Sequence, residues 1–269
     1  MPKQKLLIVI ASCLLAVGLV GVLATFRLTG SAEEISKKEV IENTNITDIS
    51  IEADNAGIEV LPTKEETITV EFYATESKQK KYNLELEEQG QSLAIELEEK
   101  VIQFLHFGWD FDFKSPKLTV YLPEKMYHKL KIEAENGKIE AENVSAEDVA
   151  IETENGRVEL TEVITNRTHV TSENGSIRFN YVDGQVSSDV TNGTITFITD
   201  DLDRSIDLES VNGRIKVQTQ NEPTNATIDA SVVNGKVDIF GSNTRSRVTG
   251  NGENRIKLTT VNGSITVSK

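Results

Sequence analysis

The chain has 269 residues, 43 of them Asp or Glu against 28 Lys or Arg, for a net charge of −15. That balance argues against nucleic acid and anionic lipid headgroups as direct partners and favours basic proteins or metal cations. A single cysteine leaves no disulfide for stabilisation, so the fold must rest on its core and its backbone pairing.

Residues Leu6 to Phe26 run without a charge, long enough to cross a ~30 Å hydrocarbon core as a helix. Lys3 and Lys5 precede the run, and Glu33 and Glu34 follow soon after Arg27, which puts the short amino-terminal tail in the cytoplasm. The expected organisation is a cytoplasmic tail over 1–5, a transmembrane anchor over 6–27, a linker over 28–43 and an extracytoplasmic repeat domain over 44–269. Two other readings of the apolar run stay open. One is a cleaved secretory signal ending at Gly30-Ser31-Ala32, the other a lipoprotein signal in which Ile10-Ala11-Ser12 precedes a lipidated Cys13.

Next comes a first, weak repeat. Ile51, Ala53, Ile58 and Val60 flank Asn55-Ala56-Gly57 in an alternating pattern. Alternation then predicts strands over Thr67–Tyr73, Tyr82–Leu86, Ser92–Leu97 and Lys117–Leu122. Between the last two lies the segment Gln103 to Phe113, with four of the nine phenylalanines and the sole tryptophan. Phe107, Trp109, Phe111 and Phe113 fall on one strand face. They form either a core strand or cover over an open end of the fold, or else an apolar loop that binds a partner or the bilayer, with Trp109 as the hot spot.

From residue 132 onward one frame recurs around Asn-Gly at Asn136, Asn155, Asn174, Asn192, Asn212, Asn234 and Asn262. Counting from each asparagine, the residues four and two before and three and five after are mostly apolar, as in Ile132, Ala134, Ile139 and Ala141 or Leu208, Ser210, Ile215 and Val217. Period two on both sides of a turn means strand, turn, strand. Asn and Gly accept the positive φ that a tight reversal demands. Each unit is therefore either a two-residue hairpin or one coil of a β-solenoid, and a repeat of about 20 residues favours the coil. The fold class expected is all-β, a single-stranded β-helix-like solenoid preceded by one transmembrane α-helix.

Stacked coils would align Glu133 with Glu152, and Glu135 with Glu154 and Glu173, into acidic columns. Lys138 and Arg157 are the expected neutralising partners, with calcium or magnesium as a weak further source of positive charge. Toward the carboxy terminus the residue before the asparagine becomes Val211, Val233 and Val261, which predicts either end-capping or a docking stripe for a partner.

The segment Lys117-Leu-Thr-Val-Tyr-Leu-Pro123, then Leu130-Lys-Ile-Glu-Ala-Glu-Asn-Gly137 and the Asn-Gly units, resembles a bacterial candidate-adhesin family of β-strand repeats of unknown function. With its apolar amino terminus the whole chain resembles the LiaG-like proteins, which are membrane-anchored and associated with a Gram-positive envelope-stress operon. The resemblance implies a β-helix-like fold with no established catalytic residues, and no cofactor is expected. His106, His128 and His169 lack metal-ligand spacing, and no nucleophile elbow, phosphate loop or dinucleotide fingerprint is present. The function expected is a non-catalytic interaction module bound to an envelope protein or cell-wall component. An adhesin for other cells or wall polymers is the first alternative, and a polysaccharide-active enzyme the second.

Overall fold

The computed structural model describes residues 33–77, 80–101 and 115–269, together with positions 11, 14–16 and 18. In chain order the strands are β1 (Glu33–Ile41), β2 (Asp48–Asn55), β3 (Gly57–Thr63), β4 (Ile68–Glu76) and β5 (Lys80–Gln89). There follow β6 (Ser92–Val101), β7 (Lys117–Pro123), β8 (Met126–Glu142), β9 (Ser145–Thr161) and β10 (Arg167–Asn180). The last are β11 (Gln185–Thr199), β12 (Ile206–Thr219), β13 (Ala226–Ile239), β14 (Ser246–Thr249) and β15 (Asn254–Ser268). All belong to one 15-stranded sheet.

The transmembrane helix expected over 6–27 is corrected. Most of that segment lies outside the described residues, and no helix among the described residues is long and apolar enough to cross a membrane. Such a span needs about 20 consecutive apolar helical residues, and the helical positions described, Ala11, Leu14 to Ala16 and Gly18, do not provide it. Among the described residues the fold class is all-β, and no described helix supports the single-pass localisation expected.

The repeat frame is where the alternation puts it. In β9, Ile151, Thr153, Val158 and Leu160 are buried while Glu152, Glu154 and Arg157 are exposed. Burial shifts by one residue across Asn155-Gly156, so the strand bends at that point and keeps the same side inward. A fully buried Ile, Val or Leu contributes roughly 1.5–3 kcal/mol relative to exposure. The column of such residues is the core of this disulfide-free chain.

Units do not fold on themselves. Each long strand pairs in parallel and in register with the next unit, as in Ile151↔Ile132 and Asn155↔Asn136, Asn174↔Asn155 and Asn192↔Asn174. Hairpins would pair antiparallel within a unit, so the solenoid-like alternative is the observed one. Coils follow one another in sequence from β8 to β12. Then β15 inserts between β12 and β13, giving the order β12-β15-β13. β14 closes that end by pairing antiparallel with Ala226–Asp229 of β13.

At the other end the weak first repeat is a true coil, with β2 and β3 stacking on β8 through Ile51↔Ile132, Asn55↔Asn136 and Ile58↔Ile139. β6 lies parallel on β2 and β7 parallel on β3, through Ile95↔Ile51 and Leu118↔Ile58. They stack on the two arms of that first coil as one further layer. Antiparallel strands finish this end, β5 on β6, β4 on β7 and β1 on β4. Residues 33–41, inside the stretch expected to be a linker, thus belong to the sheet as β1, with Ile35 partly buried and Ile41 buried.

Candidate functional site

Stacking in register places every corner asparagine above another. The side-chain amide of Asn136 donates to Oδ1 of Asn55, and the same bond recurs from Asn155 to Asn136, Asn174 to Asn155, Asn192 to Asn174, Asn212 to Asn192, Asn262 to Asn212 and Asn234 to Asn262, at 2.8–3.2 Å. The amide carries both donors and an acceptor, which is what an endless column requires of one residue type. The glycine beside it has a reason beyond the expected one. Gly156, Gly175, Gly213 and Gly263 have no positive φ. A Cβ on any of the seven corner glycines would lie 1.5–2.2 Å from a backbone carbonyl oxygen of the neighbouring coil. Close approach between coils excludes every other residue at all seven, and the positive φ expected of the corner adds to it at Gly137, Gly193 and Gly235.

Next to this corner runs an acidic face. The expected columns are present, and the first is longer than the sequence reading had it. Glu85, Glu96, Glu52, Glu133 and Glu152 occupy matched positions on five adjacent strands, β5, β6, β2, β8 and β9. Asp189 and Glu209 continue the line beyond Thr171. The missed members had a readable signal: each of these five glutamates stands between two inward residues, as in Leu84-Glu-Leu86 and Ile95-Glu-Leu97. Neighbouring strands are about 4.8 Å apart, so these carboxylates repel one another.

The counter-charges are few. Lys131 pairs with Glu133 at 2.6 Å. Lys138, expected to neutralise this face, instead bonds Glu140 and approaches Glu159 at 3.6 Å. It stands past the corner, as Arg157 does, on the next side of the coil. Glu96 has its carboxyl pushed above the usual carboxylate range, by lost hydration first and then by repulsion from Glu98, Glu52, Glu85 and Asp54. The surface is hollowed: Glu52, Asp54, Glu133, Glu135, Glu152 and Glu154 line a recess of about 230 Å³. A second recess of about 360 Å³ continues it past Glu96 and Glu98. Among the described residues, no three or more His, Cys, Asp or Glu side chains come together as metal ligands.

Val211, Val261 and Val233 sit side by side on β12, β15 and β13, each just before its paired asparagine. Val233, on the outermost of these strands, is 71% exposed. Phe107, Trp109, Phe111 and Phe113 lie outside the described residues, as does His106. His128 Nδ1 is 2.8 Å from Asp48 Oδ1 on the surface. His169 Nδ1 is 2.8 Å from Ser187 Oγ, with Asp207 matched to Ser187 on the next strand. That order puts the acid beside the serine rather than beside the histidine, and Asp207 is held by Lys257 at 3.1 Å. A nucleophile, base and orienting acid in sequence are not assembled there.

The corner frame, the parallel register and the all-β stack match a known family across most of the chain. The signature of Toastrack DUF4097 matches residues 46–185 and again 140–268. The chain belongs to the Toastrack DUF4097 family. Its signature fits twice, with an overlap, because the Toastrack domain is itself a run of equivalent coils. Two solved structures resemble this Toastrack chain. One is described as a candidate cell adhesion protein from Clostridium sporogenes ATCC 15579, 13% identical, covering 88% of this chain and 99% of its own, with a TM-score of 0.40. The other is described as a candidate adhesin from Bacteroides fragilis NCTC 9343, 14% identical, covering 88% and 97%, with a TM-score of 0.45. None of the curated proteins matches the chain.

Proposed function

We propose that this Toastrack protein is a non-catalytic binding scaffold of the adhesin kind, whose acidic side face takes a cationic partner. The observation that supports it is the column Glu85-Glu96-Glu52-Glu133-Glu152, which bears one paired lysine, Lys131, and holds like charges in register at a standing cost. A surface kept for solubility alone is met by mixing the two signs, as the side past the corner does with Lys138, Glu140 and Glu159. A basic segment laid along the recess would relieve the repulsion and displace the counterions.

The test is fluorescence anisotropy with a labelled oligolysine peptide over a salt series. Binding that weakens steeply with salt and is lost on combining Glu52→Gln, Glu133→Gln and Glu152→Gln supports the reading. Equal binding by that variant overturns it. A tie to the envelope-stress response is the finer reading; it draws on the resemblance to LiaG-like proteins, and unchanged induction of such a response in a deletion strain under wall-targeting antibiotics would remove it.

A further inference from the structure

The asparagine ladder ends at Asn55 and at Asn234, and of these two only Asn234 precedes a glycine. Asn136, Asn155, Asn174, Asn192, Asn212 and Asn262 each have an asparagine on both sides, donating to one and accepting from the other. Their strands are paired on both edges. Asn234 has a single rung, its donation to Asn262 at 2.9 Å. β14 reaches along β13 only to Asp229, and the run Val233-Asn234-Gly235-Lys236 is exposed at all four positions.

Asparagine is among the thermally labile residues, most of all before glycine, where no side chain shields the following amide. We propose that Asn234 is a spontaneous modification site, the one rung of this ladder open to succinimide chemistry. The backbone nitrogen of Gly235 attacks Cγ of Asn234. A carbon–nitrogen bond forms between them, the bond from Cγ to Nδ2 breaks, and ammonia leaves with Nδ2 and the proton from the Gly235 amide. Water then opens the five-membered imide at either carbonyl, giving aspartate or isoaspartate; nothing is oxidised or reduced.

Extended strand geometry keeps that nitrogen away from Cγ, so the reaction waits on local opening of the strand. Interior rungs are held by two strand neighbours, two amide bonds and a carbonyl packed against the glycine. Asn234 has one strand neighbour and one amide bond, with the Gly263 carbonyl packed against Gly235. Its product acts on the stack: a carboxylate at 234 meets Oδ1 of Asn262, acceptor against acceptor, and the last rung is lost. Asn262 then becomes the exposed end, so modification advances inward from this terminus. One further Asn-Gly, Asn251-Gly252, lies outside the ladder in the turn before β15. There the Gly252 amide, which would be the nucleophile, donates to the Thr249 carbonyl at 3.2 Å.

The experiment is peptide mapping by mass spectrometry of the full chain held in mildly alkaline buffer, each site's rate divided by its rate in denaturant. The expected result is a normalised rate at Asn234 on the order of tenfold above Asn155, Asn174, Asn192 and Asn212, with Asn262 following once Asn234 has reacted. A rate at Asn234 equal to the interior rungs overturns the proposal. In the Asn234→Ser variant, Asn262 is expected to become the fastest of the ladder sites; failure of that transfer in a folded variant also overturns it.

Discussion

The side chain of Asn262 donates to Oδ1 of Asn212 at 2.8 Å, although 50 residues separate them. Asn234, which lies between the two in sequence, sits outside both in space. This exchange of the last two coils makes Asn262 an interior rung and Asn234 the terminal one. Asn262→Ala is therefore expected to cost about 1–2 kcal/mol, for two bonds, and Asn234→Ala about half as much. Urea unfolding monitored by circular dichroism gives the comparison. Coils stacked in chain order would reverse the ranking.

Close coil contact sets a sharp limit at the corners. A Cβ on Gly175 would fall 1.7 Å from the Gly156 carbonyl oxygen, whereas one on Gly57 has nothing nearer than 3.8 Å. Gly175→Ala is expected to cost about 3 kcal/mol or more, because two backbones must separate. Gly57→Ala should remain within about 0.5 kcal/mol of the parent. Comparable midpoints for the two variants in chemical denaturation would contradict this.

Repulsion along the acidic face has a pH signature. The Glu96 carboxyl is raised in the folded protein, so the folded state binds that proton more tightly than the unfolded chain does. The ionised group therefore opposes folding above its folded pKa, and the penalty fades as pH falls through that value toward the unfolded one. Glu96→Gln is expected to raise Tm at neutral pH, with a smaller rise at acid pH and in molar salt. A Tm gain independent of both would point to packing instead.

Opposite signs meet in one surface pair. Asp48 holds the His128 imidazole above its ordinary pKa, and a hydrogen bond from His128 lowers that of Asp48. The histidine contribution is complete below its unfolded value and disappears as pH rises through the raised one; the aspartate contribution disappears as pH falls through its lowered value. The link between the β2 start and β8 is strongest between those limits. NMR titration of His128 should show the raised pKa in the parent and a return toward the ordinary value in Asp48→Asn.

A second corner carries ordinary residues in a left-handed backbone. Asn143, Glu162 and Tyr181 recur there at φ of 53°, 52° and 54°. The conformation costs most residues about 1–2 kcal/mol, and asparagine tolerates it best after glycine. Glu162→Asn is expected to gain about 0.5 kcal/mol, read as a higher thermal midpoint. A lower midpoint would show that Glu162 is held by something other than its backbone.

The coil itself was legible because burial and Asn-Gly share one frame, and strands β4 to β7 announced themselves by alternation. What a residue contacts beyond its own unit was not. The insertion of β15 between β12 and β13 is a choice of partner, and local pattern leaves no trace of it beyond the longer spacing that makes room for β14. β1 passed for a linker since Glu-Glu-Ile-Ser-Lys-Lys-Glu-Val-Ile turns mostly charge outward. Lys138 looked like a partner for Glu135 in one dimension, but the bend at Asn136-Gly137 points it to another face. Val211, Val233 and Val261 fell into a row because they share a place in the frame, while nothing local told that Val233 would be outermost.

The exchanged order of the last coils bears on how such a chain can lengthen. From β8 to β12 each coil touches only its predecessor and successor, so duplicating one there adds a storey and disturbs no other contact. Beyond β12 that freedom ends: β15 is wedged between strands that precede it in the chain, and a copy added after it would find both edges of β15 already taken. Repeat number in this lineage can drift in the middle of the stack, while the final two coils and β14 must be inherited together.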